Sequence, residues 1–474
     1  MVWMKHSIQK VILQPNAGEE LLVWSGKRKL TEVNEVEANT VSEYFTGRGT
    51  HNNHLFFGNN YDVLCHLLTT YKEKVDLIYI DPPFESQANY SKKIFLKGMQ
   101  QTAPIYQTQY EDKWAHHDYL QFIYERLQLL RTLLSPTGSI YVHCDWRKAH
   151  HIRLMLDEIF GTENYRNEII WKRGTVKGAK AKGNQFARNH DTIFYYTKTS
   201  EYTFNRQYIP FDEDYMKRFN KDDGDGLGPY RDDQAIGTRS QKAIEEMKAS
   251  GKIFEHNGKL RIKTYLKDLP GIVVDDNWSD IAEVNVRSKA RTMYPTQKPE
   301  ELLERIIKTS TNEGDLVLDC FSGSGTTVAV AAKLNRQFIG VDNNIGAIQT
   351  ATMRLQKLQS PFIIHVVNRE WPKQHVNVQI HLHETTKILE IVHVDFSYLH
   401  GKKIEQSDNW KQLIETVQID WTYDGKIFRP TDFDEGDSLT CIVGKYRMPE
   451  RLNGTKIALQ LIDIFSNQLF ITIG

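Results

Sequence analysis

Cysteine is scarce in this chain: Cys65, Cys144, Cys320 and Cys441 stand far apart among 474 residues and never form a close pair. That spacing excludes a disulfide framework and a cysteine zinc site, and it fits a reducing, cytoplasmic compartment. Long apolar runs are also missing. None approaches the ~18 residues that span a bilayer, so no membrane partner is expected. The stretch from Met1 to Asn16 has neither an apolar secretory core nor a small-residue cleavage site. No sign of charge is in excess, with 60 lysines and arginines against 60 aspartates and glutamates. Overall balance therefore neither advertises nor rules out a polyanionic partner, which only a local patch would reveal.

Several chemistries lack their signatures. His116-His117 and His150-His151 have no third ligand at a convincing spacing, so no metal is expected. The run Lys221-Asp222-Asp223-Gly224-Asp225-Gly226 does not fit the D-x-[DN]-x-[DN]-G calcium loop and reads as a solvated turn. There is no G-x-x-x-x-G-K-[ST] phosphate loop and no internal repeat.

What is present alternates. Val75 to Ile80 reads as a buried parallel strand running into Asp81-Pro82-Pro83-Phe84, and Leu316 to Leu318 as another running into Asp319-Cys320-Phe321-Ser322-Gly323-Ser324-Gly325. Between them Leu120, Ile123, Leu127, Leu130 and Leu134 recur at helical spacing, and the breaker Ser135-Pro136-Thr137-Gly138 precedes a strand from Ser139 to His143. After the second loop come a helix (Thr326 to Leu334), a strand (Gln337 to Val341) and a helix (Asn344 to Leu358). This is the order of an α/β, doubly wound, mostly parallel sheet, in which ligands sit beyond the carboxyl ends of the strands.

The order breaks in a glycine- and aspartate-rich insertion, taken as 201–285. From about Val366 the pattern turns strand-rich, with Val417 to Tyr423 as a strand and Asp424-Gly425 as a hairpin turn. The expected organisation is an extension over 1–50, one half of the α/β domain over 51–200, the insertion, the second half over 286–365, and a β-rich domain over 366–474.

Two prolines hold the first loop extended and leave carbonyl oxygens without local partners. An acid, two free carbonyls and an aromatic face suit an amino group on a planar ring: Asp81 and a proline carbonyl accept its two N–H hydrogens while Phe84 stacks. The competing reading is a strand-terminating turn with a core phenylalanine. In the second loop Gly323 and Gly325 permit a tight turn and close backbone approach, and Asp342 ends the next strand where a carboxylate can accept ribose hydroxyls. Strand, glycine loop, helix, strand and acid together favour a nucleoside-containing cofactor over a packing turn.

These residues resemble the amino-methyltransferases of DNA, in the permuted group whose catalytic loop precedes the cofactor loop and which includes methylation subunits of type III restriction-modification systems. The resemblance runs from about Asn53 to Gln356 and rests on Val75 to Phe84, Glu168-Ile169-Ile170-Trp171-Lys172-Arg173, Tyr294-Pro295-Thr296-Gln297-Lys298-Pro299 and Asp319 to Thr327. It implies a Rossmann-like sheet and S-adenosylmethionine as cofactor. Asp81, Pro82, Pro83 and Phe84 would form the catalytic loop around a flipped base. Thr296, Gln297, Lys298, Pro299, Asp319, Cys320, Phe321, Gly323, Gly325, Thr326 and Asp342 would cradle the cofactor, with Asn59 at its adenine. The insertion would be the target-recognition region.

Phe84 stands where the family often has tyrosine, so no hydroxyl can be essential while stacking survives. Gly58-Asn59-Asn60 stands where Gly-Asp is usual. In the family an aspartate at the position of Asp81 goes with adenine N6 and a serine with cytosine N4, so adenine is expected by analogy. The alternatives are an N4-cytosine enzyme, an RNA or protein-amide acceptor, and a non-catalytic DNA-binding subunit of the same fold.

Double-stranded DNA is the expected substrate. Lys172, Arg173, Lys177, Lys180, Lys182 and Arg188 lie in a locally basic segment suited to phosphate contacts. Trp171 reads either as a base-stacking residue or as core. With no nuclease constellation in the chain, cleavage would need a separate restriction subunit. The β-rich tail is open between dimerisation, DNA contact and partner docking.

Overall fold

The computed structural model describes residues 10–45, 53–87, 89–98, 105–112, 116–176, 182, 184–224, 226–284, 296–372, 377–396, 409–437, 439–450 and 456–474. It divides into two compact units, Met1–Asn205 with Asp276–Gly474, and Arg206–Asp275.

The larger unit is built on a ten-stranded sheet among the described residues. From edge to edge its strands are Asn277–Trp278, Tyr165–Lys172, His190–Thr197, Leu134–Cys144, Val75–Ile80, Leu316–Asp319, Gln337–Asp342, His54–Phe57, Phe362–Val367 and Ala38–Tyr44. His190–Thr197 runs against both its neighbours and Ala38–Tyr44 against Phe362–Val367; every other pairing is parallel. The fold is thus the mixed, mostly parallel α/β sheet expected from the alternation.

The central strands are apolar because both faces are covered. In Val75–Ile80 only Asp76 is not fully buried. Its carboxylate accepts from the Leu316 backbone N–H at 2.9 Å and the Ser135 hydroxyl at 3.2 Å, tying three strands at one end of the sheet. Helix His116–Leu133 presents Leu120, Ile123, Leu127 and Leu130 to the core, all essentially inaccessible. It packs between Asn60–Tyr71 and Ala149–Phe160, while Glu300–Ser310, Thr326–Lys333 and Ile345–Lys357 form a second contacting group. These are the two helical layers of a doubly wound sheet.

The crossovers leave the middle of the sheet in opposite directions. From Val75–Ile80 the chain passes through His116–Leu133 to Leu134–Cys144 on one side; from Leu316–Asp319 it passes through Thr326–Lys333 to Gln337–Asp342 on the other. Adjacent strands whose connections diverge leave a crevice between their carboxyl ends. Gly325 makes the second turn possible: its φ is +72°, and a Cβ there would lie 2.5 Å from that of Ala351.

The smaller unit contains a three-stranded sheet ordered Tyr230–Ala235, Lys259–Tyr265, Ile253–His256, a helix Gln241–Ala249 capped by the Ser240 side chain, and a short pair, Tyr208–Ile209 with Ile272–Val273. The C-terminal part carries a three-stranded sheet, Val378–His383, Ile388–Val394 and Lys445–Arg447, and a four-stranded one ordered Asp432–Glu435, Ile414–Tyr423, Lys456–Asp463, Gln468–Ile473. They share a core that includes Leu389, Ile391, Val417, Trp421 and Leu459. Tyr44 donates to Gln418 at 2.9 Å and Arg429 to Glu43 at 2.7 Å, fastening these strands to the edge of the central sheet.

One turn differs from expectation. Asp424-Gly425 does not close a tight hairpin, because the strand pairing with Ile414–Tyr423 begins only at Asp432. Asp424 instead accepts from the backbone N–H groups of Lys426 and Ile427, so its side chain organises the start of a longer loop.

Candidate active site

A cavity of about 1100 Å³ opens at the crevice and is lined by both loops. Asp81, Pro82, Pro83 and Phe84 come from the first. Asp319, Cys320, Phe321, Gly323 and Thr326 come from the second, joined by Thr296, Gln297, Lys298, Asn59 and Asp342. Pro299 and Gly325 are not on its wall: Pro299 is the buried residue before helix Glu300–Ser310, and Gly325 serves the helix packing just described. Tyr294 and Pro295 lie outside the described residues.

The first loop is held from outside. Lys298 forms an ion pair with Asp81 Oδ2, joining the segment that precedes helix Glu300–Ser310 to the first loop. Asp81 Oδ1 is buried without a hydrogen-bond partner among the described residues. Of the two proline carbonyls expected to be free, that of Pro83 is taken, since the buried Tyr119 hydroxyl donates to it at 2.8 Å. A helix remote in sequence supplies that donor, which no local rule anticipates; no donor reaches the Pro82 carbonyl among the described residues. Phe84 is half-buried, and its ring centroid lies 6.1 Å from that of His143. His143 in turn bonds the Tyr79 hydroxyl through Nδ1 at 2.9 Å and Asp191 through Nε2 at 3.3 Å. Trp171 is 2% exposed, and its indole N–H donates to the Ile281 carbonyl at 2.8 Å, which places it in the core with one edge on the cavity wall.

The second loop is organised by its acids. Asp319 accepts from the Phe321 backbone N–H at 2.9 Å and the Thr327 hydroxyl at 2.5 Å. Asp342 accepts from the backbone N–H groups of Gly323 and Asn344, both at 2.8 Å. Each carboxylate oxygen keeps a second lone pair. Burial pushes Asp319 up to about 7 and Asp342 to about 6, against hydrogen bonds that favour their charged forms.

Sequence reasoning missed Arg126. It is buried on helix His116–Leu133, donates to Asn60 Oδ1 at 2.7 Å and Asn59 Oδ1 at 3.2 Å, and lies 3.6 Å from the Phe122 ring centre. Asn60 passes the restraint on by donating to the Cys320 carbonyl at 3.0 Å. Asn59 accepts from the Tyr61 N–H as the cap of helix Asn60–Tyr71, so its side chain is already committed to the scaffold. The only signal was a charged residue on an otherwise apolar helical stripe.

The basic residues divide. Arg173 and Arg188 line the mouth with Trp146, Arg147, Gln185 and the fully exposed Phe186. Arg188 stacks on Trp146 at 3.8 Å, and Arg173 pairs with Asp191 at 3.6 Å. Lys172 and Lys182 are exposed and off the cavity wall; Lys177 and Lys180 lie outside the described residues. No group of metal-ligating side chains occurs among the described residues, and no described helix is long and apolar enough to cross a membrane.

The raised Asp319 has a consequence for stability. Its folded pKa of about 7 exceeds the ~3.9 of an unfolded chain, so its contribution is fully present below about pH 4 and is lost as pH rises through about 7. In ligand-free protein, the unfolding free energy of wild type minus that of Asp319→Asn should therefore fall across this window. Denaturant titrations at stepped pH check it, and a constant difference would contradict the burial assigned to Asp319.

A family model described as DNA methylase matches residues 75–353. Type II methyltransferase M.EcaI of Enterobacter cloacae is 30% identical over 348 residues, covering 69% of this chain and 74% of the relative. The Mod subunit of the type III restriction-modification enzyme StyLTI, from Salmonella typhimurium, is 27% identical over 362 residues, covering 66% and 54%, so the chain spans about half of that relative. DNA adenine methyltransferase YhdJ of Escherichia coli is 27% identical over 295 residues, covering 62% and 80%. With the two loops side by side at one sheet edge and this match across both, the chain belongs to the N6/N4 DNA methylase family.

Proposed function

We propose that this chain methylates adenine at N6 within specific sequences of double-stranded DNA, using S-adenosylmethionine, as the modification part of a restriction-modification system. The observation that carries it is the one cavity shared by the Asp81 and Asp319 loops, with Asp81 Oδ1 buried there and without a partner among the described residues. A buried acceptor without a donor marks a place for a ligand N–H. An aspartate at this position and the adenine methyltransferase among the relatives favour adenine over cytosine.

The cavity residues suit the cofactor. Asp342 keeps lone pairs for ribose hydroxyls, buried Ser322 Oγ has no partner among the described residues, and acids raised by burial would welcome a cationic ligand. When bound, S-adenosylmethionine supplies an electrophilic methyl group on a positively charged sulfur. The chain's own residues do the rest by alignment. A base must leave the helical stack to enter the cavity. Asp81 Oδ1 accepts one hydrogen of its amino group and the Pro82 carbonyl the other, which localises the nitrogen lone pair toward the methyl carbon. Phe84 stacks on the ring, and Lys298 holds Asp81 Oδ2 so that Oδ1 stays aimed at the substrate. Asp81 is also placed to receive the proton that the nitrogen loses once methylated. Arg173 and Arg188 contact phosphates at the mouth, and the Arg206–Asp275 unit selects the sequence. A separate restriction subunit and a second copy of the chain are the partners that go with this role.

Expression in a methylation-deficient host, followed by single-nucleotide mapping of modified bases, tests the proposal. N6-methyladenine in one recurring sequence is expected; N4-methylcytosine would reassign the base, and unmodified DNA would refute the activity. Asp81→Ala should erase the marks while S-adenosylhomocysteine still binds, and persistent methylation would refute the role of Asp81. Lys298→Met should slow single-turnover methyl transfer by about tenfold, the scale of one charge-assisted hydrogen bond, and move the S-adenosylhomocysteine Kd by less than about threefold. A changed Kd with an unchanged rate would return Lys298 to the cofactor.

A further inference from the structure

A hairpin, Asn89–Ile94 paired antiparallel with Ile105–Glu111, follows the catalytic loop directly. Its near end grips that loop. Asp112, the residue after the second strand, is 1% exposed. Its Oδ2 accepts from the backbone N–H of Phe84 at 3.2 Å, that of Ser86 at 2.7 Å and the Ser86 hydroxyl at 2.7 Å. Its Oδ1 accepts from the Glu85 N–H at 3.0 Å, and its carbonyl from the Gln87 N–H at 2.9 Å. One residue thus takes every backbone N–H from Phe84 to Gln87. Within that stretch Glu85 and Gln87 have φ of +55° and +57°, a conformation that non-glycine residues keep only when the surroundings hold it.

The far end of the hairpin is seated on the C-terminal β sheets. Lys97 and Gly98 donate backbone N–H groups to the carbonyls of Gln412 at 3.0 Å and Asp437 at 3.1 Å, and the Gln107 side chain donates to the Phe465 carbonyl at 2.9 Å. Ile94 shares an apolar cluster with Leu413, Ile464 and Phe465. Largely buried Glu415 faces two lysines of the hairpin, Lys97 at 3.2 Å and Lys92 at 4.0 Å. A two-stranded hairpin has marginal stability alone, so this seat supplies its rigidity.

We propose that the C-terminal β sheets are the platform that fixes the catalytic loop, with the hairpin as the rigid arm and Asp112 and Glu415 as positioning residues at its two ends. The inference rests on the role given to Asp81 and Phe84, whose methyl transfer demands alignment within a fraction of an ångström.

The test uses the full chain, with hydrogen exchange and single-turnover methylation measured side by side. Glu415→Gln should raise exchange in the 81–90 segment by about tenfold and slow methyl transfer by about tenfold, as for a locally loosened element. Exchange in the Gln337–Asp342 strand and affinity for S-adenosylhomocysteine should stay as in wild type. Asp112→Asn should give the same pattern, and the double variant should be no slower than Asp112→Asn alone, because both act through one arm. Lys97→Met provides the same uncoupling should Glu415→Gln not fold. Wild-type exchange in 81–90 together with wild-type rates in the Glu415 or Lys97 variant would overturn the proposal, as would loosening spread over the central sheet. Because exchange is read without turnover, a wild-type chain that methylates nothing would strike the Asp81 role and leave the platform to be judged on its own.

Discussion

Two hydrogen-bonded parallel strands, Val75–Ile80 and Leu316–Asp319, bring Asp81 and the glycine loop to the same edge of the sheet. Their neighbours lie on opposite sides, so the chain must leave the two strand ends in opposite directions and the space between them stays open. The shared cavity and the Lys298–Asp81 ion pair between the segments that line it follow from that adjacency.

Around this crevice the chain spends buried polar groups on alignment. Asp319 and Asp342 shape the second loop through backbone N–H groups, and Arg126 braces it through Asn60. Tyr119, Asp112 and Lys298 brace the first loop from elements remote in sequence. Burial disfavours the charged forms of Asp319 and Asp342, a cost that a cationic ligand offsets. This suits a reaction in which the electrophile arrives already activated and the protein contributes placement and charge.

The parts of this arrangement legible in the sequence are those encoded locally. The apolar run of Val75–Ile80, the prolines after it and the glycines of the second loop each announce themselves within a few residues, and strand alternation is enough to predict a doubly wound sheet. The bracing residues are illegible because their partners are distant: Asp112 reads as an isolated acid until the hairpin folds back, and Tyr119 as one more aromatic on a helix. The same non-local donor explains why the Pro83 carbonyl, free by local rules, is occupied. The contact between the β-rich tail and the Asn89–Glu111 hairpin is hidden for a related reason, since Glu415 and Lys97 pair only when two segments far apart in the chain meet.

The shared crevice is tested most directly by a crystal structure of the chain with S-adenosylhomocysteine. The ribose should lie against the Asp342 carboxylate, with the sulfur turned across the cavity toward Asp81 and the face of Phe84 left open beside it. A nucleoside bound elsewhere, or a sulfur pointing away from the Asp81 loop, would contradict the convergence of the two loops on one reaction.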